Sequence, residues 1–424
     1  MYKRQVNVSG FGFLPNDGFF DASTAGAPGS PMLQPLVMRE AARKFLSTHN
    51  VLPVGKEDQQ TIQASIDIAQ TWLDQFTQFP ATVANADVAW SRRDWVDQSV
   101  NGWQKIVEPL AIGMVEALGK VLNEMGPQFG DEAAQFTSES FPNMPNFGID
   151  GFLPIMRSFM GQLIATQLGQ SIGTLAISLT GSQDAAIPLF EKSGTHLIPQ
   201  NIKLWGEGLN ISEQDIGIYI ALREVAAQRL FAHTPWLPEY IRGLIESYGR
   251  GITVDIAAIQ SQAESALSSG ELDINNPESI TLAINNGMFQ PEQSPAQSAA
   301  LSKLEITFAL IEGWIDHVVH LAASDRLPSL AALEESYRRS RIESAPTQQL
   351  FAMLLGLQIS PRLTRECSHF WNEIYELSGA LDGGIEVRDH RWEDPALLPQ
   401  VDEISDPAKY LQSTTVPDDL SGLI

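Results

Sequence analysis

Cysteine is the scarcest resource in this chain: one residue, Cys367, in 424. It has no internal partner, so a disulfide framework is excluded and nothing points to a secreted scaffold. Basic side chains are also few. The 27 Lys and Arg stand against 51 Asp and Glu, leaving a net charge of −24. That balance excludes nucleic acid, or an anionic membrane, as a partner held by bulk attraction. No run of roughly 18 uninterrupted apolar residues occurs, so no membrane insertion is expected. No basic region followed by an apolar stretch opens the chain, so no signal peptide is visible and a cytoplasmic location is expected. Met1-Tyr2-Lys3-Arg4-Gln5 resembles a translated sequencing adapter, so the native start is expected to differ. A G-x-S-x-G elbow, a P-loop and a G-x-G-x-x-G fingerprint are all missing.

What is present is a hydrophobic content of 43%, enough for a substantial core. Residues 1–34 are rich in Gly, Phe, Pro, Ser and Asn without helical period, and read as a flexible arm. From Leu36 apolar residues recur at three and four residue intervals: Ala41, Phe45 and Leu46, then Ile62, Ile66, Ala69, Leu73 and Phe76. Phe79-Pro80 closes that helix. Asp94 begins another, with Pro109 marking a kink or break. A Gly-, Asn- and Pro-rich loop is expected from Gly126 to Gly151. Over Leu153–Leu179, Gly161, Ala165, Gly169 and Gly173 form a ridge of small residues every four positions, read as close packing in a bundle. Ile187-Pro188-Leu189-Phe190 and His196-Leu197-Ile198-Pro199 are candidates for short strands or a buried hairpin. The acidic residues 402–424, with Pro407 and Pro417, read as a tail. The expectation is one mainly α-helical compact domain over 35–401, with at most minor strands.

One stretch carries chemistry: Ala221-Leu222-Arg223-Glu224-Val225-Ala226-Ala227-Gln228-Arg229-Leu230-Phe231. An H-E-x-x-H zinc helix needs two His one turn apart and a Glu beside the first as general base. Here Glu224 takes the base position, while Arg223 and Ala227 stand where the imidazoles would be. The helix is expected to start near Ser212, which with Asp215 forms an N-cap arrangement. Tyr219, Leu222, Val225, Ala226 and Leu230 form its core face; Pro235 stops it and Trp236 plugs the core. Without other information Arg223-Glu224 reads as a solvated surface pair. A second helix, Pro295 to Ala323, places Glu305, Glu312, Asp316 and His320 on one polar stripe, ordinarily an exposed acidic face. His317 and His320 are conceivable substitute metal ligands, though a structural role is the expectation; His233 stands on the wrong face. Cys367 reads as structural. Tyr337-Arg338-Arg339-Ser340-Arg341 is the one basic cluster, expected to solvate a helix end or pair with acidic residues elsewhere.

The chain resembles the zincin-like family of zinc-dependent metalloproteases and hydrolases, which has a sister branch associated with a deazaflavin coenzyme. The resemblance runs from about Pro35 to Pro407. Its ordered landmarks are Ala89-Trp90-Ser91-Arg92 with Trp95 and Trp103, Gln167-Leu168-Gly169-Gln170, and Leu197-Ile198-Pro199-Gln200-Asn201. They continue through Phe231 to Leu237, Tyr248-Gly249-Arg250-Gly251-Ile252, Ile311-Glu312-Gly313-Trp314, Asp325-Arg326-Leu327-Pro328 and Asp394 to Pro399. The sister branch carries a full H-E-x-x-H; the nearer branch usually reads Arg-Glu-x-x-His, and Ala227 departs even from that. The resemblance implies zinc as the family cofactor, Glu312 as the one retained ligand candidate and Glu224 as a vestigial general base. Arg223, Ala227, Glu312 and Asp316 would line the cleft. Two carboxylates alone are a poor zinc site, so no metal and no cofactor are expected. The leading expectation is a degenerate homologue, a pseudoenzyme taking a peptide or protein partner in its cleft. An active hydrolase with Glu224 as base, and a plain helical interaction module, are the alternatives.

Overall fold

The computed structural model describes residues 31–82, 87–140, 149–185, 187, 189–190, 194–252, 294–343 and 360–414. Among them are twelve α-helices: α1 (Pro35–Ser47), α2 (Lys56–Leu73), α3 (Arg92–Ser140), α4 (Ile149–Ala176), α5 (Pro199–Gly206) and α6 (Glu213–His233). The rest are α7 (Trp236–Arg250), α8 (Pro295–Ala323), α9 (Leu330–Glu343), α10 (Pro361–Leu377), α11 (Gly384–His390) and α12 (Pro407–Thr414). The two long central helices start where polar caps meet orphan N–H groups. Ser212 accepts from Asp215 N at 3.0 Å, and Ser294 accepts from Gln297 N at 3.2 Å while Gln297 returns a bond to Ser294 N.

Helix α6 lies at the centre. Every residue from Ile216 to Leu230 is buried, so the core face expected of it is only part of what neighbours cover. Helices α2, α5 and α8 pack on it, and α9 rests against it. Fully buried Arg229 ties α6 to α2 through Asp74 (2.6 Å) and the Gln70 carbonyl (2.9 Å). Helix α8 is long and apolar enough by composition to cross a membrane, but 78% of its most apolar window is buried inside the protein. An all-round apolar helix in this position is a core element.

Small residues set the close crossings. A Cβ on Gly169 would lie 2.3 Å from the Met38 carbonyl oxygen, and one on Gly161 would lie 2.6 Å from that of Met32. The expected ridge on α4 is therefore the seat of α1 and of the residues just before it. Helix α3 does not break at Pro109, nor does it give way to a loop at Gly126; it is continuous to Ser140. Proline lacks only one N–H, and here its carbonyl meets α7: a Cβ on Gly249 would lie 2.9 Å from Pro109 O, and one on Gly113 would lie 2.3 Å from Gly249 O. At Pro109 this packing against α7 outweighs the proline cost that argued for a break. On α8, Gly313 abuts α10, where a Cβ would lie 2.7 Å from Ser368 N and 2.8 Å from Cys367 Cβ. Trp236 is only partly buried and donates to the Trp392 carbonyl at 2.8 Å; Leu237 beside it is the core plug.

Extended structure among the described residues is limited to isolated bridges centred on Leu197, parallel to Ala89 and antiparallel to Gly181. Four bonds of 2.8 Å hold this ladder: Trp90 N to Leu197 O, Leu197 N to Val88 O, Ser182 N to His196 O and Ile198 N to Thr180 O. His196-Leu197-Ile198 thus pairs with the segments at 88–90 and 180–182; the described residues of 187–190 make no bridge to it. Met32 and Leu33, at the end of the expected arm, are buried, and so are Ile404 and Tyr410, within the expected tail. The arm up to residue 30, the segment 141–148 and the tail beyond 414 lie outside the described residues.

The glycine contacts give a paired test by urea denaturation. Gly169→Ala is expected to cost about 1–3 kcal/mol, overpacking against backbone outweighing the helix-propensity gain. Gly243→Ala on α7, with no atom within 4 Å of its Cβ, is expected to stabilise by about 0.5–1 kcal/mol. Equal responses at the two positions would contradict the close α1–α4 seat.

Candidate functional site

Glu224 projects from the middle of α6 onto the turn that follows α4. Its Oε1 accepts from the Ser182 hydroxyl, and the Gln183 N–H lies 2.9 and 3.0 Å from its two carboxyl oxygens. The carboxyl lies so close to the turn that a Cβ on Gly181 would fall 2.3 Å from Oε2. Burial is the largest influence on Glu224 and pushes its pKa up to about 8; hydrogen bonds from Ser182 and Gln183 oppose that shift, and the Asp184 charge adds to it. The group is therefore mostly neutral at pH 7. A protonated carboxyl fits the geometry: it can donate to Ser182 Oγ, whose own hydrogen can pass to the Gly194 carbonyl 3.4 Å away. The neighbouring turn is fixed by Asp184, which accepts from Thr180 N (2.7 Å) and Thr180 Oγ1 (2.9 Å).

Arg223, the neighbouring residue, reaches toward α8 and α9. Its Nη2 donates to Glu312 Oε2 at 2.8 Å, and its Nη1 donates to Asp316 Oδ1. Glu312 and Asp316 stand one turn apart on α8, matched to the two arms of a planar guanidinium. The Arg223 side chain is 7% exposed, against 22% for Glu312 and 25% for Asp316. Burial holds the Glu312 carboxyl above its ordinary range even though Arg223 and Arg341 pull it down. The Arg223 guanidinium carbon lies 3.8 Å from the centroid of the Tyr337 ring, and that of Arg341 lies 4.8 Å from it. Both tyrosine and second arginine come from α9. Tyr337 donates its hydroxyl to Asp184 Oδ1 at 2.8 Å, and Arg341 Nη2 donates to Asp184 Oδ1, to the Tyr337 oxygen and, at 2.9 Å, to the Asp184 carbonyl. Burial alone would raise Asp184; the Arg341 charge and these bonds hold it below its ordinary value.

The cluster thus sets two guanidinium charges against three carboxylates, with a neutral Glu224 alongside. Its cavity is lined by Arg223, Glu224, Ala227, Glu312, Asp184 and Tyr337 among others, with an empty volume of about 290 Å³ that includes its open mouth. The space left for water-sized groups is only about 20 Å³, room for one water. Of the expected cleft residues, Arg223, Ala227 and Glu312 line this cavity; Asp316 reaches it only through its bond to Arg223.

A zinc ion does not fit these residues. The Glu312 carboxylate is committed to a guanidinium, Ala227 offers no donor, and no imidazole lines the cavity. Among the described residues no group of three or more His, Cys, Asp or Glu is placed to hold a metal. His317 is buried against Tyr375, His320 pairs with Glu334 at 2.8 Å, and His233 stacks on Phe79. The polar stripe on α8 is divided rather than exposed as one face: Glu305 accepts from Ser360 N at 3.3 Å, while Glu312 and Asp316 face Arg223. Ser182, Gln183 and Asp184 were not singled out by the sequence, and Tyr337 was seen only as part of a basic cluster. Their one local signal is a polar run, Thr180 to Asp184, set between two apolar segments.

Several ordered sequence landmarks hold this frame together. Arg92 donates to Asn201 Oδ1 at 2.7 Å, and Asn201 donates to the Ala176 and Leu179 carbonyls at 2.9 and 2.6 Å, capping the end of α4. Trp314 donates to buried Asp389 at 3.0 Å. A family model described as zincin-like metallopeptidase matches residues 36–411. The chain belongs to the zincin-like metallopeptidase family. No curated protein matches it. Among solved structures it is similar to one from Chloroflexus aurantiacus, reported as a "putative hydrolase with a novel fold", at a TM-score of 0.57 and 17% identity. That match covers 90% of this chain and 98% of the other, and at this identity it speaks for the shared fold.

Two measurements probe the cluster. Arg223→Ala is expected to cost about 2–4 kcal/mol, because it leaves two mostly buried carboxylates unpaired; their partial exposure keeps the loss below that of a fully buried pair. Replacing Arg223 and Glu312 together by apolar residues is expected to recover part of that loss, and additive single effects in a thermal double-mutant cycle would contradict the coupling. For Glu224 the folded pKa lies above the unfolded value of 4.5. Between those values the folded state binds the extra proton, so its stabilising contribution is complete below pH 4.5 and is lost as pH rises through 8. Glu224→Gln, which mimics the neutral acid, is expected to remove that loss, worth on the order of 3–5 kcal/mol across the window. Parallel stability profiles of wild type and variant from pH 5 to 9 would refute a raised pKa.

Proposed function

We propose that this chain is a metal-free member of its family, one that keeps the fold and cleft but not zinc hydrolysis, and that its role is to bind a peptide or protein partner. The observation that carries the reading is the Arg223 guanidinium, which takes both Glu312 and Asp316 at the position of a ligand imidazole. A permanent cation there supplies the positive charge that the carboxylates require and repels a second one. The environment of Glu224 supports the same reading. A general base must present a free oxygen to the proton it takes, whereas this buried carboxyl already engages Ser182 and Gln183.

Metal analysis tests this directly. Protein equilibrated with zinc and dialysed is expected to retain far less than one zinc per chain and to show no chelator-sensitive peptidase activity. Stoichiometric zinc, with an activity abolished by Glu224→Gln, would overturn the proposal.

A further inference from the structure

The cleft already holds an aromatic side chain, and the chain itself supplies it. Tyr337 is 7% exposed, lines the cavity, and has its ring under two guanidinium groups with its hydroxyl on Asp184. The rings of Trp205 and Tyr219 meet it edge-on at centroid distances of 6.2 and 6.1 Å. The body therefore matches each part of a phenol: its face by the Arg223 cation, its edge by Trp205 and Tyr219, and its hydroxyl by the acceptor Asp184, while Arg341 shares α9 with the ring. The helix that carries it is lightly attached. Among the apolar residues of α9 whose side chains are described, Leu330, Leu333 and Tyr337 are buried. Its polar ties to the body include Trp205 Nε1 to Ser340 Oγ at 3.3 Å and His320 to Glu334 at 2.8 Å. Elements with little buried apolar surface open at lower free energy than core helices.

We propose that α9 is a lid and Tyr337 its built-in ligand: the cleft recognises a phenol side chain, and the partner it takes is a peptide segment presenting a tyrosine when α9 lifts. This rests on the binding role argued above and names its chemistry. Held closed, the cleft keeps space for one water, so entry of any partner requires that Tyr337 leave. Because the competitor is tethered, its effective concentration is high, and free phenols compete poorly with the intact chain.

The test removes the tethered ring and supplies it in solution. Tyr337→Ala is expected to melt below wild type. Millimolar 4-methylphenol or N-acetyltyrosinamide is expected to raise the Tm of the variant by about 2 °C or more, with toluene less effective and wild type unmoved. Toluene acting as well as 4-methylphenol, or neither phenol acting, would overturn the proposal. Hydrogen exchange on the wild-type chain gives an arm that needs no variant. Amides of α9 are expected to exchange well before those of α6 and α8; α9 exchanging only together with α6 and α8 would also overturn it. Zinc bound to the protein would sink the metal-free reading without touching these results, and their failure would leave that reading standing.

Discussion

Three carboxylates, Asp184, Glu312 and Asp316, converge on one poorly hydrated spot, and their mutual repulsion is the constraint around which the centre of this protein is built. Arg223 answers two of them with a single rigid fork, and Arg341 answers the third. A lysine could not replace Arg223, since its point charge cannot face two carboxylates one helical turn apart while lying flat against a tyrosine ring. Through this one side chain α6 is bound to α8, and through the ring stacked on it α6 is bound to α9. The arrangement draws its strength from geometry more than from net charge, because the desolvation of five charged groups consumes much of their attraction.

Beside this cluster the turn from Thr180 to Asp184 is held by a different principle. Its backbone is stitched to Leu197 and its neighbours by bridge hydrogen bonds, and its side chains close over Glu224. A neutral carboxyl serves this position better than an ionised one, since a fourth anion would widen the charge excess to two. The same residue type that would act as a base beside a metal is here an interior hydrogen-bonding group, and the surroundings alone decide which.

The helices were legible because their signals are local. Ser212 caps as its spacing to Asp215 indicates, and the glycine ridge on α4 seats α1 because small residues every four positions have few other uses in a bundle. Pro109 misled, since its local cost is set against contacts with α7 that lie more than a hundred residues away. The motif at Arg223-Glu224 was legible in the same local way, and so was the polar stripe containing Glu312 and Asp316. Asp184, Tyr337 and Arg341 were not. Their meeting joins positions more than 150 residues apart, and neither a turn aspartate nor a basic patch on a short helix announces a distant partner.

The lone cysteine gains meaning from the crossing beside it. Gly313 of α8 presses against Cys367 and the Ser368 backbone of α10, and burial pushes the Cys367 thiol up to about 12. While the two helices stay together the sulfur is both shielded and protonated, and so chemically silent. Glu312 is the residue next to that glycine. When the helix that carries two of the five charges parts from α10, the thiol loses this cover, and its rate of alkylation becomes a clock, native to the molecule, for how often that crossing opens.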